Sequence, residues 1–158
     1  MDLDRLKHSY SVAKKMIEIG INMNLSEEEI QELFILGFNH DIGYEYTENG
    51  KNHGPIGGEL LRKSGYKYWK EVFYHGILTD EYESLYLNIL NMADMQIDKY
   101  GNDVGYESRL EDIKSRYGED SVVYERVTAL VNHLKKEEKA KSKKDEFSSF
   151  FKFNINST

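Results

Sequence analysis

An all-α fold, a single compact bundle of about six to seven helices, is predicted for this chain by three observations. Apolar residues recur at helical spacing along most of its length, no stretch alternates apolar and polar side chains as a half-buried strand would, and 158 residues contain one proline. The first helix covers about Asp2 to Ile19, with His8, Val12, Met16 and Ile19 on one face, and Gly20 is expected to end it. Ser26 and Glu29 have capping-box spacing and open a second helix, which carries Leu33, Leu36 and His40 on one face and stops near Gly43. A polar loop, Tyr46 to Asn52, leads to Pro55 in the first turn of a short third helix that closes at Gly65, so His53 stands at its entrance. A fourth helix near Tyr68 to Gly76 puts Tyr68, Val72 and His75 on one side, and a fifth, about Asp80 to Lys99, aligns Leu87, Leu90, Asp94 and Ile97. Arg109 to Tyr117 and Ser121 to about Lys136 are two more, separated by Gly118. From Lys135 the chain turns Lys-rich and then runs into FSSFFKFNINST, whose phenylalanines keep no helical period. Residues 135–158 are therefore read as a tail available to dock on the domain or on a partner.

The length suits one domain, and composition narrows its chemistry. A hydrophobic share of 39% and a charged share of 31% are ordinary for a soluble protein. No apolar run approaches the ~20 residues of a membrane span, and MDLDRLKHSY has neither the basic start nor the apolar core of a secretory signal, so the expected location is cytoplasmic, with no membrane partner. With no cysteine, a disulfide, a thiolate metal site and a cysteine nucleophile are excluded, and any metal must be held by histidine and carboxylate. That donor set suits Fe, Mn, Co, Ni or Zn, with Mg also admitted. Net charge is −7, from 21 basic and 28 acidic residues, which disfavours nonspecific nucleic-acid binding. A small anionic substrate stays allowed, because bound cations dominate their local field.

Four of the five histidines and two aspartates fall in the order His8, His40, Asp41, His53, His75, Asp94. Asp94 lies on the face that Leu87, Leu90 and Ile97 bury, and a buried carboxylate without a partner is costly. His8, His40 and His75 also share faces with apolar residues. Taken singly, each histidine is as well explained by a hydrogen-bonded core position, Asp41 by a loop cap, and Asp94 by pairing with a basic residue. Taken together and in this order, they point to a hydrolytic metal site. His133, near the basic end of the last helix, reads as a surface residue.

At these residues the chain resembles the HD-domain metal-dependent phosphohydrolases. The adjacent pair sits in NHDIGYEY, which contains the HDIG form of that family's signature. HSYSVAKKM around His8 is similar to its first helix, and LNMADMQID around Asp94 to its last ligand helix. HGPIGGELLRKSGY and VFYHGILTDE are similar to the segments that supply the extra histidines of the two-metal branch. The resemblance covers about Leu3 to Asp98, most of a domain read as residues 1–134, and implies one metal held by His8, His40, Asp41 and Asp94 and a second by His53 and His75, Asp41 bridging. It further implies a divalent transition metal as cofactor, one or two ions, with His40 and Asp41 central to catalysis. The implied reaction is cleavage of a phosphate ester or anhydride of a small molecule, a nucleotide or dinucleotide, by attack of metal-bound hydroxide.

The same ordered ligands also resemble the HD-fold mixed-valent di-iron oxygenases, relatives of myo-inositol oxygenase. A non-catalytic module that keeps its metal to sense a nucleotide is a third reading. Many family members follow HDIG with lysine, whereas this chain has Tyr44. Tyr44, Lys51 and Arg109 are accordingly the candidate substrate contacts. Each also has a plain structural reading: a packed ring, a solvated loop lysine, and one member of an ion-pair lattice with Lys114, Arg116, Glu107, Glu111 and Asp112. Gly57 and Gly58 are read as a close helix contact, and Tyr66, Tyr68 and Trp69 as packing residues.

Overall fold

The computed structural model describes the backbone of residues 2–156 and the side chains of residues 2–141. Seven α-helices follow in chain order: α1 Leu3–Asn22, α2 Glu27–Asn39, α3 His53–Lys63, α4 Trp69–Tyr74, α5 Leu85–Asp94, α6 Gly105–Tyr117 and α7 Val122–Asn156. A 3-10 turn, Ile42–Tyr46, links α2 to α3, and among the described residues the only β pairing is an isolated bridge between Ile97 and Asp103. The fold is all-α.

One N-cap acts as the sequence indicates, and two come from residues not read as caps there. Ser26 and Glu29 close a full capping box at α2, the Asp2 carboxylate accepts from the Arg5 amide at 2.8 Å, and Ser84 Oγ accepts from the Leu87 amide. Ser84 therefore starts α5 later than Asp80, and the helix stops at Asp94 with Met95 as C-cap, so Ile97 is buried beyond the helix end. Gly20 does not end α1. It lies inside the helix, where an added Cβ would come within 2.6 Å of Ile30 Cδ1, so its role is to let α2 close on α1. The reversal comes at Asn24, whose φ of 58° is left-handed. α2 likewise ends at Asn39 rather than Gly43, and the HDIG segment turns into the 3-10 helix.

α1 packs along α2 and crosses α5, α3 lies against α4, and α6 pairs with α7. The core holds Val12 and Met16 of α1, Leu33 and Leu36 of α2, Val72 of α4, Ile89 and Leu90 of α5, Ile113 of α6, and Leu130, Val131 and Leu134 of α7. Glu32 of α2 ties three elements together, accepting from the hydroxyls of Tyr68 and Tyr86. Tyr66 and Tyr68 pack partly buried against the core, and Trp69 meets Phe73 edge-on at 6.3 Å. The Gly57–Gly58 pair is a close contact: a Cβ on Gly58 would meet Phe73 Cβ at 2.5 Å.

α7 crosses Lys135 without a break and runs to Asn156, where the sequence reading places a tail. Glu, Lys and Ala are strong helix formers, so propensity favours continuing the helix through residues 135–144 after the last buried apolar residue among the described side chains, Leu134. The side chains of Phe147 to Phe153 lie outside the described residues. Among the described residues no helix is long and apolar enough to cross a membrane.

Leu33 is fully buried between α1 and α2, so Leu33→Ala is expected to cost about 2 to 5 kcal/mol. The check is the urea midpoint; an unshifted midpoint would show that this contact is not part of the cooperative core.

Candidate metal centre

Five helices deliver six side chains to one point, and five of the six come from helix ends. His8 lies within α1, His40 is the C-cap of α2 with Asp41 next to it, His53 is the first residue of α3, His75 is the C-cap of α4, and Asp94 is the last residue of α5. Each helix end turns its side chain inward, while the body of the helix packs in the core. The 3-10 turn after Asp41 lies on the start of α3 because position 43 has no side chain. A Cβ on Gly43 would overlap the His53 carbonyl oxygen.

All four imidazoles are held the same way, each by its Nδ1 at a backbone carbonyl: His8 at Asp98 (2.8 Å), His40 at Gly37 (2.7 Å), His53 at Gly50 (2.9 Å) and His75 at Val72 (2.6 Å). A carbonyl can only accept, so Nδ1 carries the proton in every ring. In the neutral rings each Nε2 is then a bare acceptor aimed at the centre. His53 Nε2 and His75 Nε2 stand 3.1 Å apart. Asp41 Oδ1 lies 3.3 Å from His40 Nε2 and 3.4 Å from the Nε2 atoms of both His53 and His75. Asp94 Oδ1 lies 2.9 Å from His8 Nε2 and 3.5 Å from His40 Nε2. His40 Nε2 is buried with no hydrogen-bond partner.

A buried cluster of bare acceptors requires positive charge at its centre. Burial alone would disfavour charging His40, yet Asp41 and Asp94 outweigh it and raise its pKa to about 10. Burial likewise works against ionising Asp41 and Asp94, but neighbouring histidines, His40 foremost, keep both carboxyls below the usual range. Burial, aided by His75, pushes His53 down to about 4, so this ring stays neutral and free to donate its lone pair. Three overlapping sets have donor atoms within 4.8 Å of one another: His8, His40 and Asp41; His40, His75 and Asp94; Asp41, His53 and His75. The residues therefore fit a metal, with every imidazole already held by an outer hydrogen bond, as metal-ligating histidines are.

All six expected ligands thus meet, and the candidate substrate contacts separate. Tyr44 lies at the centre, its ring centroid 4.2 Å from that of His53, and burial with Asp41 nearby pushes its hydroxyl up to about 12. Lys51 is exposed on the loop, and among the described residues its side chain has no hydrogen bond or ion pair. Arg109 reaches the backbone carbonyl of Asp94 at 3.4 Å and pairs with Asp112, which also holds Arg116, whereas Lys114 pairs with Glu119 and Glu107 with Lys135 of α7, so only part of the expected ion-pair lattice forms. His133 is partly exposed and faces Glu137 at 4.0 Å. The residue missed in the sequence is Arg5, whose Nη1 donates to Asp41 Oδ2 at 2.9 Å. The available signal was its spacing, since position i−3 from His8 shares that histidine's helix face.

A bundle that gathers four imidazoles and two carboxylates, all but His8 from helix ends, belongs to the class of helical proteins with a buried His/Asp cluster fit to hold a metal. The match to a family model narrows that class: residues 5–146 match the HD domain, and the chain belongs to the HD domain family. The family is generally one of hydrolases that bind divalent metals. No curated protein and no solved structure gives a match.

Two measurements test the centre. A divalent metal at about 100 times its Kd is expected to add about 2.7 kcal/mol of stability, raising Tm by about 5 to 10 °C, and a chelator should reverse the rise. A Tm indifferent to metal, with none retained after dialysis, would reject the site. Gly43→Ala should move the His53 carbonyl and weaken metal retention by about 10- to 100-fold in a competition titration, and unchanged affinity would show that the 3-10 turn does not set the site.

Proposed function

We propose that the protein is a metal-dependent phosphohydrolase that cleaves a phosphate ester or anhydride of a small molecule, a nucleotide or dinucleotide being the substrate class. The observation that carries this reading is the position of Asp41, whose Oδ1 lies 3.3 to 3.4 Å from three separate Nε2 atoms. A carboxylate so placed suits a bridge between two cations. His8, His40, Asp41 and Asp94 would hold one, and His53 and His75 with Asp41 the other. When bound, such a pair supplies Lewis-acid polarisation of a phosphoryl oxygen and acidifies a water. The nucleotide class rests on the resemblance of NHDIGYEY and the flanking ligand segments.

The chain's own residues do the remaining work. The four carbonyl acceptors fix the ring orientations, so no imidazole must rotate before a cation enters, and His40 alone would give up the Nε2 proton that Asp41 and Asp94 favour. Burial of His8, His40, Asp41, His75 and Asp94 keeps the local dielectric low and strengthens the centre's field on an anion. His53 and Arg5, each with its side chain 27% exposed, mark the solvent-facing side from which substrate would arrive.

Asp41→Ala is expected to lower phosphate release from a nucleotide panel by at least about 100-fold in metal-supplemented assays, whereas His133→Ala should stay within about twofold of wild type. Equal losses in the two variants would sink the assignment of the centre. A wild-type protein that binds metal but releases no phosphate from any nucleotide, dinucleotide or simple phosphate ester would sink the phosphohydrolase reading.

A further inference from the structure

The residue after the HDIG segment is Tyr44, and a cation lies against its ring. The Arg5 guanidinium carbon lies 3.6 Å from the centroid of the Tyr44 ring, and Nη1 of the same group donates to Asp41 Oδ2 at 2.9 Å. Tyr44 is itself fixed: its ring touches His53, and Gly50 at φ 74° brings the loop backbone so close that a Cβ there would overlap the ring. Among the described residues no other lysine or arginine donates to a side chain of the six ligands, since Arg109 reaches only the carbonyl of Asp94. Arg5 Nε and Nη2 have no acceptor among the described residues. The guanidinium therefore grips the central carboxylate by one nitrogen, lies over an aromatic ring, and keeps its remaining donors uncommitted on the solvent-facing side.

We propose that Arg5, oriented by Tyr44, is an oxyanion-binding residue of this centre that receives the phosphoryl group of the substrate. The inference rests on the phosphohydrolase reading. Arginine suits the task because its planar fork offers parallel N–H donors that match two oxygens of a tetrahedral anion, which an ammonium cannot do. The cation–π contact with Tyr44 restrains the guanidinium and so lowers the side-chain entropy lost on binding. The Asp41 bond keeps the guanidinium next to the atoms that would hold the metals, which places substrate phosphorus and centre side by side. In a chain of net charge −7 this is the local cation that offsets long-range repulsion of an anion.

A purely structural salt bridge would leave Arg5 as a neutraliser of Asp41, and the two roles separate experimentally. The probe is inorganic phosphate, titrated calorimetrically into the full chain loaded with divalent metal, with metal content and Tm measured on the same samples. Arg5→Ala is expected to retain its metal and weaken phosphate binding by roughly tenfold or more, with Arg5→Lys falling between it and wild type. Tyr44→Leu should weaken binding less, since it removes the platform and leaves the charge. The double variant Arg5→Ala/Tyr44→Lys should recover phosphate affinity. Phosphate binding by Arg5→Ala equal to wild type, with metal retained, overturns the proposal. Metal loss in Arg5→Ala that the added lysine reverses without restoring phosphate binding also overturns it, because Arg5 would then act only through Asp41. If Arg5→Ala does not fold, Arg5→Lys together with Tyr44→Leu decides, and phosphate affinities equal to wild type in both refute the role. A metal-loaded wild type that neither binds phosphate nor hydrolyses any ester rejects the phosphohydrolase reading itself. One that does both while the Arg5 variants match it rejects only the subsite.

Discussion

Two buried carboxylates and four imidazole Nε2 atoms point at a common centre, and this concentration of acceptors governs the rest of the molecule. Asp41 is the hub, with Oδ1 within 3.4 Å of three Nε2 atoms and Oδ2 bound to Arg5. Such a cluster is unstable in a low-dielectric interior unless positive charge enters it. The raised pKa of His40 and the lowered ones of Asp41 and Asp94 express the same demand in the absence of a cation. A proton on His40 and a metal at the centre are alternative ways to meet it, and the outer hydrogen bonds on Nδ1 favour the metal because they leave Nε2 open.

Holding that cluster together requires helix ends rather than helix faces. Two ligands on one helix face must sit three or four residues apart, whereas an end can be aimed from any direction once its body is packed. Here α2, α3, α4 and α5 each present a terminus, and α1 alone contributes from its middle. The close approaches this needs fall at residues without side chains, Gly43 against the His53 carbonyl and Gly58 against Phe73. The core of Val12, Met16, Leu33, Leu36, Ile89 and Leu90 lies just behind the ligands, so packing and site geometry are one constraint.

Local signals were legible wherever they were chemical rather than spatial. The capping box at Ser26 and Glu29, the apolar stripe of α2 and the ordered histidines all appear in the chain as written. Gly20 misled, because a glycine inside a helix and a glycine ending one look alike until the helix packed against it is known. Asp80 to Lys99 was drawn too long for the same kind of reason: Ile97 keeps the apolar phase by being buried after the helix has ended. At α7 the error ran the other way, since helix propensity carries the chain past Leu134 without an apolar stripe to reveal it.

The residue types and their order determined the all-α class, the metal chemistry and the six candidate ligands, because periodicity and donor chemistry are properties of the chain itself. Tertiary structure alone decided that the six meet around Asp41, that every Nε2 faces inward, and that Arg5 of α1 lies on Tyr44, thirty-nine positions away in sequence. Those facts depend on how five helices cross. Crossing is set by the summed packing of side chains distant in sequence, to which no single local pattern corresponds.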